Sequence, residues 1–373
     1  MAYKLPADCL NEIFENLEQN KPALHSCLLV NRLWCRTSVR ILWRNVLNFN
    51  SSDISRQSKV ESSILHMLIA CLPNKSKKLL SENRIVSFST FTPPLFNYAA
   101  YCKVLPIYRI IKIVENVYIN QFGKLLVLDK IFQMFTSQIS SLKKLIYPYN
   151  KKYQDKHKIT FSLAEFPGAR ELSELCCGSD ISPNFFRFPL TDNELHLLQA
   201  IFIRCQYLES IKIWCGVEYL NETEVLEIVA NHSPNSFHEL KIYNADSDSN
   251  FASPGDIEFV SPEELESASP GHFEIVSPED LESEDLEFVS PEDLESSKYL
   301  KFVSPKDLES FFISWENRVP KKLLSLIILK KDENKLLDEE SMKLAKKYEN
   351  LGVIKFGTKL YDDDEVEEVF EYF

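Results

Sequence analysis

Glycine is scarce in this chain, eight in 373 residues, and none falls in a G-x-x-x-x-G-K or G-x-G-x-x-G phosphate loop. Neither a G-x-S-x-G nucleophile elbow nor an H-E-x-x-H zinc helix occurs. The nine cysteines contain no C-x-x-C pair, so His232 and His238, with Cys205 and Cys215 nearby, lack the spacing of a zinc site. No apolar run approaches the roughly 18 to 20 residues needed to span a bilayer. Polar Asp8, Asn11 and Glu12 break up the amino terminus, which predicts no secretory signal. An odd number of dispersed cysteines suits reduced, buried thiols and hence the cytoplasm or nucleus. No catalytic residue, cofactor or metal ligand is indicated, and the expectation is a protein that is not an enzyme.

What is present begins with charge. The formal net charge is -13, yet residues 253–298 alone hold 15 acidic side chains and one lysine. The rest of the chain is close to neutral. This acidic stretch is built of copies: IEFVSPEELES (257–267), FEIVSPEDLES (273–283) and LEFVSPEDLES (286–296) precede LKFVSPKDLES (300–310). Each reads as a helix start, with Ser as N-cap, Pro at the first helical position and acids facing the positive end of the dipole. Only the fourth copy has a helix to start, KDLESFFISWENRVP, which Pro320 terminates. The first three restart too soon for a helix to hold by itself. They form a predicted insertion, 251–299, exposed and mobile. Ser-Pro followed by Glu or Lys also suits a proline-directed kinase, although capping alone accounts for it.

At the amino terminus Leu10, Ile13, Phe14 and Leu17 share one helical face, starting at or just after Pro6. A second helix is expected near Pro22, and a further apolar cluster falls at Val39, Ile41, Leu42, Trp43 and Val46. A unit of this size cannot cover so much apolar surface internally, so part must face another body. The spacing LP-x-x-x-L-x-x-I-F-x-x-L, then L-x-x-C-x-x-V-x-R-x-W and LW-R, resembles the F-box over residues 4–46. The resemblance implies a three-helix unit that docks a Skp-type adaptor, with Leu5, Pro6, Ile13, Val30 and Trp34 at or beside that surface. It gives Leu10, Phe14, Leu17, Leu42 and Trp43 the task of holding the helices together. The sequence departs from the family at Asn31 and Leu33, where basic or aromatic residues are common.

Downstream, an apolar-x-x-apolar-x-apolar pattern recurs in LKKLIY, LSELCC, LESIKI, FHELKI, LLSLII and LGVIKF. Its central residues are Leu145, Leu175, Ile211, Leu240, Leu326 and Ile354, about 30 residues apart except where the insertion intervenes. Helical stretches at 192–205, 222–232 and 338–350 lie between the strands. Strand and helix alternating at that period predict an irregular, leucine-rich-repeat-like α/β solenoid. The expected organisation is an F-box at 1–48, a helical or degenerate-repeat connector at 49–140, and the solenoid at 141–250. The acidic insertion follows at 251–299, and the last repeats occupy 300–373. Central apolar residues should point inward, leaving Glu209, Lys212, Trp214, His238, Lys241 and Tyr243 on a concave binding face. The two aromatics suit either interface anchors or packing between repeats.

The whole resembles F-box proteins with degenerate leucine-rich repeats, such as the expanded families of some fungi. That implies a substrate-receptor subunit of an SCF-type cullin ubiquitin ligase, which links the adaptor to a target protein marked for the proteasome. The alternative is a repeat scaffold outside any ligase. A basic tract with tyrosines between the lysines (Lys143 to Lys158) could meet nucleic acid or an acidic ligand, but a solvated loop is the better account of it, and nucleic acid and membrane partners are not expected.

Overall fold

The computed structural model describes residues 6–49, 54–86, 93–118, 120–147, 166–178, 195–216, 222–245, 303–330 and 338–360. Three short helices lead: α1 (Ala7–Glu15), α2 (Lys21–Cys27) and α3 (Arg32–Leu42). Asn20 and Asn31 cap α2 and α3 by accepting from backbone N–H groups of their first turns. Two more helices follow, α4 (Ile54–Cys71) and α5 (Asn74–Glu82).

Strands and helices then alternate: β1 (Val104–Pro106), α6 (Ile107–Val117), α7 (Gln121–Gln138), β2 (Lys144–Ile146), β3 (Glu174–Gly178), α8 (Leu195–Arg204), β4 (Ser210–Gly216) and α9 (Glu222–His232). They continue with β5 (Glu239–Ala245), α10 (Pro305–Glu316), β6 (Leu324–Lys330), α11 (Glu339–Asn350) and β7 (Ile354–Leu360). The seven strands form one parallel sheet in chain order, β1 to β7. No helix among the described residues is long and apolar enough to cross a membrane.

Strand alternation divides the sheet between two environments. Leu105, Leu145, Leu175, Ile211, Leu240 and Leu326 occupy one register row and are each at most 1% exposed. They join the buried faces of α4 to α11 in one core, with Phe132, Phe135, Phe202, Phe237 and Phe312 filling the space between layers. The opposite face holds only a small separate cluster, Ile146, Cys176, Tyr243 and Leu329. Helices therefore cover one face, and no described element packs on the other. The neighbours Cys176 and Cys177 illustrate the split, each buried on a different side.

The six sequence-predicted strands are all present, with two adjustments. The sheet starts earlier than expected, since β1 lies inside the 49–140 connector and pairs with β2. In the last two repeats the pattern slips. Leu323 and Leu351 are 53% and 60% exposed, while Leu324 pairs with Ile354 and Leu326 with Phe356. Gly168 marks the tightest approach, because a Cβ there would stand 2.4 Å from the carbonyl oxygen of Ile139.

α10 starts as its sequence indicates. The Ser304 hydroxyl accepts from the Asp307 N–H and donates to the Asp307 carboxylate, closing the first turn. Val303 and Leu308 are buried beside Phe311, Phe312 and Trp315, which anchors this fourth copy in the core. The other three copies lie outside the described residues.

Candidate functional site

The sequence names two candidate surfaces. The first is on the three leading helices. Their own core is small: Leu10, Phe14, Leu24, Cys27 and Ile41, with Leu17, Trp34 and Leu42 packed against it. The Trp34 ring meets Phe14 edge-on at 5.1 Å between centroids. With these filling the interior, Ile13, Leu29, Val30 and Leu33 remain 46%, 81%, 56% and 38% exposed. Pro6 and Cys9, at the start of α1, are exposed as well. Single exposed aliphatics are ordinary, but four on one unit of three short helices leave it with apolar surface suited to a partner.

Of the residues assigned to adaptor docking, Pro6, Ile13 and Val30 are exposed and Trp34 is half-buried. Leu5 lies outside the described residues. Leu29 and Leu33, not assigned from the sequence, belong to the same patch and are exposed for the same reason. Trp43 takes a different part from the one the resemblance gives it. It packs against the main core and against Tyr98, at 4.6 Å between ring centroids, instead of joining the three-helix core. Trp43, Val46 and Leu47 therefore root the leading helices in the rest of the chain.

Arg44 completes that junction. Its guanidinium makes a bidentate ion pair with Glu15 of α1, and this hydrogen bonding holds the Glu15 carboxyl below its ordinary range. Its backbone carbonyl accepts from the N–H groups of Lys103 and Val104 at 2.8 and 3.1 Å. The same two-into-one arrangement repeats at the carbonyls of Lys103, Lys143, Ser173 and Glu209, each taking two N–H groups from the next strand entry. The ladder thus runs from the leading helices as far as β5.

The second surface is the sheet face on which no described element packs. Register places Lys144, Glu174, Ser210, Glu239, Ser325 and Lys355 in one row. Ile146, Cys176, Lys212, Lys241 and Ile327 form the next, and Trp214, Tyr243, Leu329 and Lys359 the one after. Lys144 and Lys212 both reach the same Glu174 oxygen, at 2.7 and 3.4 Å, and Lys241 pairs with Glu239 at 3.0 Å. Burial works to raise the Glu174 pKa, but the two lysines outweigh it and hold the carboxyl below its ordinary value. Beside them burial pushes the Cys176 thiol up to about 11, so it stays protonated at neutral pH and is no nucleophile.

Lys212, Lys241 and Tyr243 stand on this face as the alternation requires, and the Trp214 backbone is in register with Tyr243. Tyr243 is only 6% exposed and packs with the aliphatic cluster, so it is part of the floor of the face and not a projecting anchor. Glu209 and His238 lie just ahead of β4 and β5, exposed, their carbonyls serving the ladder. The strand residues that line up with the lysines are Ser210 and Glu239. Counting back in twos from Lys212 and Lys241 would have found them.

No protein-family model matches this chain, and no curated protein or solved structure matches it either.

Proposed function

We propose that this chain is a docking subunit, the substrate receptor of an SCF-type cullin ubiquitin ligase. On this reading its leading helices hold a Skp-type adaptor, and its open sheet face holds the protein to be modified. The observation that carries it is the patch of Ile13, Leu29, Val30 and Leu33, exposed on a unit whose interior is already full. The F-box resemblance over 4–46 supplies the identity of the partner, and the parallel strand order agrees with a repeat solenoid. Catalysis in such an assembly is proximity: the receptor brings a target within reach of a separate enzyme and contributes no reacting group.

The test is adaptor capture by the full chain against an Ile13→Glu, Val30→Glu variant. Both side chains face solvent, so the variant should keep its fold by circular dichroism and lose the adaptor. Equal capture would refute the docking claim. A receptor that captures no adaptor while still binding a protein through its sheet would support the alternative, a repeat scaffold outside any ligase.

A further inference from the structure

We propose that the outer edge of β7 is a strand-docking site, which takes from a partner protein an extended acidic segment whose carboxylates alternate with aliphatic side chains. The proposal goes beyond the receptor reading and does not depend on it.

The two ends of the sheet are finished differently. β1 is three residues long, ends at Pro106 and adjoins the Arg44 carbonyl, which accepts from the N–H groups of Lys103 and Val104. β7 has seven residues, and no described strand lies beyond it. Two hydrogen bonds fix its backbone directions. The Val353 carbonyl accepts from the Leu324 N–H of β6, whereas the Phe356 N–H points away from β6 and donates to the Glu349 carboxylate at 3.3 Å. Directions alternate along a strand, so the N–H and carbonyl of Thr358 point outward as well. An edge of this length, with outward donors and acceptors, is a template for one more strand. Glu349 stands on it where a carbonyl of that strand would stand.

The side chains say which strand fits. Lys355 and Lys359 are exposed on the face away from the helices, two residues to either side of Gly357. Lys144, Lys212 and Lys241 have carboxylate partners on that face, but Lys355 and Lys359 have none among the described residues. Between them the edge is open, because a Cβ on Gly357 would meet nothing within 4 Å. A glycine inside a strand is a place where another backbone can come close. On the helix side Ile354 is 1% exposed and Phe356 packs against the main core, so aliphatic side chains of an added strand would continue that row. The matching segment therefore carries two carboxylates four positions apart on one face, opposite the lysines, and aliphatic residues between them on the other.

The same lysines disfavour a second copy of this chain. Two β7 edges paired antiparallel about Gly357 would set every lysine opposite a lysine, which is destabilising. Lysine on an edge is a guard against self-pairing. Here it also selects the charge of the strand that is admitted.

Fluorescence anisotropy with two labelled peptides, TEVTVET and TKVTVKT, tests this on the full chain. The acidic peptide should bind at least tenfold more tightly than the basic one. Lys355→Glu with Lys359→Glu, both at exposed positions, should reverse that order. Thr358→Pro removes an outward N–H and leaves the bonds to β6 in place, so it should weaken the acidic peptide at least tenfold with an unchanged thermal midpoint. N-methylation of alternate amides in the peptide tests the backbone pairing with no change to the protein: one of the two alternate sets should abolish binding and the other should be tolerated. If Thr358→Pro unfolds the chain, the methylated peptides decide. Equal binding of the two peptides, an order that charge reversal does not invert, or binding indifferent to both methylation sets would overturn the proposal. Self-association that Thr358→Pro abolishes would give the edge to a second copy, and binding seen only after removal of residues 361–373 would give it to this chain's own end; either result overturns the claim for a partner. Adaptor capture by the same variants should be unchanged, which keeps this claim separate from the one on the leading helices.

Discussion

Ile13 and Phe14 are adjacent on α1 and should respond to mutation in opposite ways. Phe14 is 1% exposed, lies in a core of only five buried residues and supports the Trp34 ring at 5.1 Å. Phe14→Ala removes most of a buried aromatic from a unit with little else to collapse into the space, which costs about 3 to 5 kcal/mol. That is a large share of the roughly 5 to 15 kcal/mol that typically holds a domain together. The three helices should therefore open locally while the sheet, with its own core, stays folded. Ile13→Ala removes a side chain already 46% exposed, so its cost to folding should stay within about 1 kcal/mol. Its effect should appear in adaptor affinity instead. Covering the exposed half of an isoleucine contributes about 1 kcal/mol, a loss of roughly fivefold in Kd. Amide hydrogen exchange resolved to residues 7–42, with calorimetric titration of the adaptor, separates the two effects. If Ile13→Ala loosens α1 as much as Phe14→Ala does, the patch is structural and the argument for a partner fails.

Two further outcomes follow from charge. Glu61 and Arg109 form an ion pair at 3.0 Å with both side chains about 5% exposed; Gln57 and Asn116 also donate to the Glu61 carboxylate, and Arg109 donates to the Phe49 carbonyl. Glu61→Ala strands a buried guanidinium and should cost about 3 to 5 kcal/mol, whereas Glu61→Leu with Arg109→Met should cost much less by denaturant titration; a double variant as damaged as the single one would contradict this. The Glu15 carboxyl is held below its ordinary value by the Arg44 hydrogen bonds, so its contribution is fully present above the ordinary carboxylate range and fades as pH falls through that range and below it. Glu15→Gln should therefore flatten the acid side of the thermal stability profile of the leading helices, and an unchanged profile would show that the pair contributes nothing.

The parts of the fold legible in the sequence were those where one physical rule acts alone. Strands β2 to β5 bury the same face at the same register, so the spacing of Leu145, Leu175, Ile211 and Leu240 alone located them. β1 escaped notice because its three residues end at Pro106 and run straight into α6, and the eye reads LPIYRIIKIVENV as one helix. α7 buries Val127, Leu128, Ile131, Phe132, Met134 and Phe135 against neighbours on several sides, so no single stripe marks it. The slip at Leu323 and Leu351 was hidden because adjacent apolar residues offer two equally good registers, and only pairing with the next strand chooses between them. The exposed apolar surface of the leading helices was half visible. Apolar density at 24–34 signalled excess surface, but which side of it faces out depends on Trp34 turning in toward Phe14.

On the receptor reading, the two surfaces work together only through the connection between them. A receptor that works by proximity gains little if its two ends move independently, because the effective concentration of target at the enzyme falls as the linker lengthens or loosens. Here the connection is not a linker. Arg44 joins α1 through its side chain and β1 through its carbonyl, and the same two-into-one hydrogen bonding continues through Lys103, Lys143, Ser173 and Glu209 to the strands that carry Lys212 and Lys241. Trp43 and Leu47 bury the same junction from the side. Freeing one end would break several of these bonds together, along with the burial of a tryptophan, so independent motion is costly. If the sheet face holds a target, its distance from the leading helices is set by the number of strands between them, and inserting or removing one strand–helix unit would move that target by one strand spacing, about 4.8 Å. A receptor shortened by one repeat but still loaded with both partners should therefore shift the lysines that become modified on a rigid target. An unchanged pattern of modified lysines would show that the spacing is not transmitted.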